Sequence, residues 1–381
     1  MDCSRADGAF SSRLCVDLDA LRANYRKIAA RVSLAQCGAV VKANAYGLGV
    51  ERVAAALYRE GCRSFFVAQY CEATALSGVL GADAKLYVLN GADPGNEAAF
   101  LRQGLIPVLS SLRQLGRWQE LARAEGRALP SALQVDSGMS RLGIDAADMA
   151  RIARDSAFGR EIDARLLMTH LACADEPSHD ANRVQRDRFD AVRALFPGVP
   201  ASIANSGGAF LDESFRLDLV RPGIALYGAA PGPHAEALRP VVALDARVLQ
   251  IRTIERGTGV GYGLDHVATA PQRLATIAVG YGDGWPRCLG GIGAAWHQGV
   301  RLPIVGRVSM DSMTVNIDAL APGALAEGDF VELLGPSQSL AEVARDAGTI
   351  AYEILTRLCA RHARFYKEDG AVDAVLPGAG Q

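Results

Sequence analysis

Short apolar runs recur along the first two thirds of the chain, at residues 37–43, 64–68, 85–90, 106–110, 131–136, 164–171, 201–205 and 219–227. Each is apolar throughout rather than alternating with polar positions. Between them lie stretches where apolar residues return every three or four positions, at 50–60, 96–103, 112–125, 147–155 and 182–195, the spacing of one helix face. A strand apolar on both sides belongs in a sheet covered on both faces. Eight such strands alternating with helices give the pattern of a parallel (β/α)8 barrel of the TIM type. The stretch 206–218 is the weakest candidate for a crossover helix, and an open doubly wound sheet is the competing arrangement. Ahead of the barrel, residues 13–18 read as a strand and 18–30 as an amphipathic helix. The first dozen residues read as frayed.

After Gly228 the pattern changes. Pro231-Gly232-Pro233 is a turn-rich linker, and alternating apolar and polar positions follow at 242–254, 274–279, 302–304, 313–317 and 330–334. One helix is expected at 339–347. The reading is therefore an α/β chain with an N-terminal barrel over residues 13–237 and a mostly β C-terminal domain over 238–381. The strand at 13–18 is free to pair with the second domain's sheet.

Composition narrows the chemistry. The 40 basic and 42 acidic residues leave a net charge of −2, which offers no basic face for nucleic acid. No apolar run reaches the length of a membrane span, and the first residues lack the apolar core of a secretion signal, so a cytoplasmic protein is expected. The eight cysteines contain no Cys-x-x-Cys pair and read as reduced thiols; the six histidines form no ligand cluster, so no metal is expected.

In a barrel of this type chemistry sits at the C-terminal ends of the strands. Those positions carry Lys42 with Tyr46, Asn90, Arg141, His170, Asn205-Ser206 and Arg221-Pro222-Gly223-Ile224. Singly, each has a plain structural explanation: a core histidine, a surface ion-pair arginine, a strand-end turn. Together they place a lysine, two arginines, a histidine and a small-residue anion cradle on one rim. Ser206-Gly207-Gly208 and Gly223-Ile224 offer backbone N–H groups and a hydroxyl suited to a phosphate. A phosphate cradle beside a strand-end lysine is what pyridoxal phosphate requires.

The stretches AVVKANAYGLG (39–49), VDSGMSRLGI (135–144), MTHLACADEP (168–177), ANSGG (204–208), VRPGIALYG (220–228), GVGYG (259–263), VGYGDGWPR (279–287), PIVGRVSMD (303–311) and AYEILTRL (351–358) resemble, in order, those of the alanine racemases, the fold-type III pyridoxal-phosphate enzymes. The resemblance spans residues 13 to 368. It implies L-/D-alanine as substrate, D-alanine being made for peptidoglycan or consumed catabolically, and a homodimer with shared active sites. Lys42 corresponds to the family's Schiff-base lysine and base on one face of Cα; Tyr262 corresponds to the base on the opposite face, contributed by the partner subunit. Tyr46, Ser206, Gly223, Ile224 and Tyr352 match phosphate-binding positions, beside Asn205. His170 matches the histidine stacked on the pyridine ring and Arg221 the arginine facing the pyridine nitrogen. Arg141 matches the arginine near the substrate carboxylate, Met310 and Asp311 match contributors from the partner, and Tyr281 lines the access channel.

Two-sided proton transfer accounts for the pair Lys42 and Tyr262. An unperturbed tyrosine is a poor base at neutral pH, so Tyr262 needs assistance from His170 or Arg287. Arg221, being protonated, takes no proton from the pyridine ring and limits its electron sink. Three other readings are weighed: a racemase of broader small-amino-acid range such as serine, a fold-type III decarboxylase, and a single-barrel carrier of the cofactor. The decarboxylases place a carboxylate where Arg221 stands, and the carriers lack a second domain.

One position departs from the family. Where a carbamylated lysine commonly holds the substrate-facing arginine, this chain has Gln134, whose carbonyl oxygen is expected to accept from Arg141. A glutamine side chain forms no carbamate. Activity measured with and without added bicarbonate is therefore expected to be the same; activation by bicarbonate would contradict it.

Overall fold

The computed structural model describes residues 10–358 and 360–375. Seven parallel strands run in sequence order from Ala39–Val40 through Ser64–Val67, Lys85–Val88, Ile106–Leu109, Leu129–Gln134 and Ile162–Met168 to Ala201–Ser202. The eighth, Leu219–Val220, closes the ring. On one flank it pairs with Gln36–Cys37, and Gly38 and Val40 donate to the carbonyls of Val220 and Pro222 at 2.9 Å each. On the other, Asp218 N–H reaches Ala201 O at 3.1 Å and Arg221 N–H reaches Ala204 O at 2.9 Å. The sheet is thus a closed barrel, not an open doubly wound sheet.

The helices expected between strands are present, with one exception. Residues 206–218 hold only the single 3-10 turns Gly208–Phe210 and Glu213–Phe215. The segment is too short, and too rich in small and polar residues, for a helix that would pack a full face. The place of a helix after the eighth strand is taken by Leu18–Arg31 from the start of the chain. It buries Leu21, Tyr25 and Ile28 on one face, at helical spacing, and Asn24 donates to Leu226 O and Arg239 O. Asp17 caps this helix by accepting from Ala20 N–H at 2.8 Å, and its other oxygen meets Lys367 at 3.0 Å.

The second unit is built on a nine-stranded sheet that includes Ser12–Asp17 between Val242–Ile254 and Ala363–Glu368. The 13-residue strand Val242–Ile254 shifts register between Val248 and Gln250 and pairs beyond that point with Gln272–Ile277. This bulge bends the sheet round on itself into a small antiparallel barrel. Strands Ala294–His297, Ala363–Glu368 and Ala371–Val375 and helix Ala351–Arg357 add to the elements read from the sequence. Of the dozen residues expected to be frayed, 1–9 lie outside the described set. Phe10 is buried instead, its ring 5.2 Å from that of Phe365. The cysteines also depart from expectation: Cys37, Cys62, Cys71, Cys173 and Cys288 are free, but Cys15 is disulfide-bonded. Spacing along the chain does not reveal which thiols folding brings together. Among the described residues no helix is long and apolar enough to cross a membrane.

Leu14 is fully buried in the middle of this sheet, opposite Leu244 on one side and Arg364 on the other. Leu14→Ala is expected to cost about 2–5 kcal/mol of stability, read as a lowered midpoint in urea unfolding.

Candidate active site

Lys42 stands two residues past the first barrel strand, after Val41, and the chain then reverses hand. Ala43, Asn44, Ala45 and Tyr46 all have φ between 53 and 56°, one turn of left-handed helix built from residues with side chains. Such backbone costs roughly 1–2 kcal/mol per residue, so it persists only where surroundings hold it. Asn44 Oδ1 accepts from Val50 N–H at 2.8 Å and Gly47 N–H closes on Ala43 O at 2.8 Å. From the second unit, Arg364 donates to Gly47 O at 3.0 Å and Tyr366 to Leu48 O at 2.9 Å. A Cβ on Gly47 would lie 2.7 Å from Leu355 O, and one on Gly49 would lie 2.0 Å from the Tyr366 hydroxyl. Both glycines are therefore required for the two units to meet here.

The turn leaves Lys42 half-buried on a cavity of ≈ 500 Å³ that also receives Tyr46, Arg141, His170, Asn205, Ser206, Arg221, Gly223 and Tyr352. Ile224, fully buried, adjoins Gly223. These residues, far apart in sequence, share one space of a size that suits a small cofactor with its substrate. Sequence reading did not anticipate Leu89, Ile350, Glu353 and Thr356, which also line it. The last three come from the helix Ala351–Arg357 and its approach, and only the stretch AYEILTRL hinted at that segment.

Electrostatically the cavity is cationic. Burial and the neighbouring Arg141 push the Lys42 amine below its usual pKa, while Glu72 pushes it up. Arg221 is buried and donates to Ser202 Oγ, to Thr169 O at 2.6 Å and to His170 Nδ1 at 3.5 Å, all neutral acceptors. Burial lowers its pKa to about 9, which still leaves a cation at neutral pH. Burial, with Arg221, Arg141 and Lys42 nearby, lowers His170 to about 3, so its imidazole is neutral across the physiological range.

The opposite end is polar and uncharged. Ser206 Oγ accepts from Gly223 N–H at 2.8 Å and Ala225 N–H at 3.3 Å, which directs its own proton outward as a donor. The Tyr46 ring lies 4.7 Å from that of Tyr227 and 6.1 Å from that of Tyr352. Its hydroxyl sits over Gly223, where a Cβ would fall only 2.3 Å away. A cradle of hydroxyls at one end and an amine with a neutral imidazole and a buried guanidinium at the other fits a phosphorylated pyridine aldehyde.

Models of the alanine racemase N-terminal domain and C-terminal domain match residues 16–231 and 241–366. The chain belongs to the alanine racemase family. It is 51% identical over 362 residues to a catabolic alanine racemase of Mesorhizobium japonicum, covering 95% of this chain and 94% of that one. An alanine racemase of Brucella canis is 49% identical over 374 residues, covering 94% of each chain. Among solved structures, the Bartonella henselae alanine racemase with covalently bound pyridoxal phosphate aligns with a TM-score of 0.91 at 42% identity, over 94% of this chain and all of that one. The biosynthetic alanine racemase of Pseudomonas aeruginosa aligns at 0.85 and 35% identity, again over 94% of this chain and all of that one.

Four residues singled out by resemblance to the alanine racemases do not line the cavity. Tyr262, Tyr281, Met310 and Asp311 lie on the second unit, with Tyr262 73% and Met310 53% exposed. Tyr281 and Met310 are neighbours, Gly282 N–H meeting Met310 O at 2.8 Å. Tyr281 N–H reaches Ser309 O at 3.0 Å, Asp311 accepts from Arg361 at 2.8 Å, and Arg307 braces the Tyr262 turn through Asp265.

One expectation fails. Gln134 does not hold Arg141: its Nε2 donates to Leu142 O at 3.1 Å, and no bond joins the two among the described residues. The Gln134 backbone is occupied in closing the base of the loop, its carbonyl accepting from Ile144 N–H at 2.8 Å. Arg141 stands exposed beyond Ser140, whose φ is 56°. Gln134 therefore acts on the loop that carries the arginine rather than on the arginine itself.

Gly223→Ala is expected to weaken uptake of pyridoxal phosphate at least about tenfold, a change worth ~1.4 kcal/mol. The check is titration of the cofactor-free protein, followed by the visible absorbance that borohydride abolishes.

Proposed function

We propose that this chain is a pyridoxal-phosphate-dependent alanine racemase working as a homodimer, each site completed by the partner subunit. The observation that carries the reading is the convergence of the Lys42 amine, the neutral His170 and the buried Arg221 on one cavity, in a chain so similar to alanine racemases. Bound there, the cofactor supplies an aldehyde for Lys42 and an electron-withdrawing ring that acidifies the substrate Cα–H. Tyr46, Ser206, Gly223, Ile224, Tyr352 and Asn205 hold its phosphate end. His170 packs against the ring and, being neutral, adds no charge to it. Arg221 would keep a proton off the pyridine nitrogen, because a guanidinium only donates: it can offer N–H to an unprotonated nitrogen and has no lone pair to accept from a protonated one.

Arg141 orients the substrate carboxylate. Lys42 moves a proton on one face of Cα, and Tyr262 of the partner subunit moves one on the other. The exposure of Tyr262, Tyr281 and Met310, large side chains left open on the second unit, together with the exposed Asp311, supports their use by a second copy. Met310 and Tyr352 narrow the side-chain space toward alanine rather than larger substrates. A decarboxylase is disfavoured because no carboxylate is bonded to Arg221 among the described residues, and a carrier protein because of the second unit. Enantiomers have equal free energies in water, so concentrations alone decide whether D-alanine is made or consumed. A cytoplasmic setting belongs to the same proposal: five free thiols among the described residues suit a reducing compartment, and the Cys15 disulfide is the observation against it.

Lys42→Ala and Tyr262→Phe chains are each expected to lose activity by roughly 10²–10⁴-fold. Exchanging subunits between the two pure variants should restore about a quarter of the wild-type rate, because half of the dimers are mixed and each mixed dimer has one intact site. No recovery on subunit exchange would place both groups in the same chain's site.

A further inference from the structure

Glu72 touches neither the cavity wall nor any residue marked by resemblance, but it is joined to Lys42 through one amide. It lies in the short helix Tyr70–Thr74 after the second barrel strand, which pairs with the strand leading to Lys42 through Ala39 with Phe65 and Val40 with Phe66. One carboxylate oxygen accepts from Ala43 N–H at 2.6 Å; the other accepts from Ala68 N–H at 2.6 Å and Gln69 N–H at 3.1 Å. Ala43 is the first residue of the left-handed turn. One anion thus fastens the start of that turn to the end of the neighbouring strand with three charge-assisted hydrogen bonds.

We propose that Glu72 is a positioning residue for Lys42: it fixes, through the Ala43 amide, the turn that aims the amine into the cavity, and it sets a negative charge against that amine. This rests on the reading of Lys42 as the cofactor-bearing base. The titratable groups around the amine are Arg141 on its loop, His170 and Arg221 at strand ends, Tyr46 on the turn, and Tyr352 and Glu353 on the helix Ala351–Arg357. Arg141 and Arg221 are cationic and His170 is neutral. Glu353 is turned to Thr349 and Arg357. Glu72 opposes the burial and the Arg141 charge that depress the amine's pKa. The turn and the charge are therefore set by one side chain, and loosening the first alters the second.

A helix cap alone would leave the titration of Lys42 unmoved, and this separates the two roles. Cofactor-free wild type, Glu72→Gln and Glu72→Asp are mixed with pyridoxal phosphate across a pH series, and the adduct on Lys42 is trapped with borohydride. The midpoint of the capture profile reports the free amine. Removing the anion favours the uncharged amine, so Glu72→Gln should move the midpoint to lower pH. Racemisation by the loaded variant should fall about 10²-fold, the cost of a small misplacement, with α-proton exchange from one enantiomer slowed more than from the other. Glu72→Asp keeps the charge but withdraws it by one methylene, so the same changes appear in smaller degree; it carries the test if Glu72→Gln does not fold. A wild-type midpoint in the variants, or equal slowing for both enantiomers, overturns the proposal alone. A wild type that traps no aldehyde on Lys42 overturns the functional reading and this proposal with it.

Discussion

A single turn of left-handed backbone, Ala43 to Tyr46, is the constraint on which the molecule's arrangement depends. L-residues resist this hand at every step, so the turn cannot be a local preference of the chain. It is maintained from three directions: by Asn44 folding back on Val50, by Glu72 from the helix after the neighbouring strand, and by Arg364 and Tyr366 from the second unit. The barrel alone does not supply all of these. The second unit is thus part of what makes Lys42 point where it does.

The same turn separates two chemically different ends of one cavity. Behind it, Tyr46 reaches the uncharged hydroxyl cradle over Gly223; ahead of it, Lys42 faces the cations Arg141 and Arg221 and an imidazole they help keep neutral. Without a bound anion these cations repel one another in a partly desolvated space. A ligand carrying negative charge relieves that repulsion, so binding and stability are coupled by mass action.

Much of this was legible in the sequence because it is periodic or local. Eight apolar runs alternating with helical stretches are enough to specify a barrel, and strand-end positions name Lys42, Arg141, His170, Ser206 and Arg221 without further help. What was not legible depends on contacts between distant segments. Gly47 and Gly49 signalled a bend, but no propensity announces four consecutive residues of the wrong hand. Glu72 stands three residues after Gln69, the spacing of a capping box, and reads as an ordinary helix cap until Ala43 is seen beside it. Gln134 was assigned to Arg141 by its place in a motif; the side chain instead donates to Leu142 O, in the same loop as the arginine. The 206–218 segment was marked as weak for good reason, since its glycines and polar residues interrupt the periodicity of a helix even though Phe210, Leu211 and Phe215 are buried.

The strand Ser12–Asp17 lies between Val242–Ile254 and Ala363–Glu368, parallel to the latter. During synthesis it leaves the ribosome long before either partner. The barrel can close as soon as residue 222 is out, but the sheet of the second unit stays unpaired along an edge of Ser12–Asp17 until Ala363–Glu368 has emerged. Assembly of the second unit therefore finishes after that of the barrel. The left-handed turn held by Arg364 and Tyr366 can lock only then, so Lys42 reaches its working position at the end of folding.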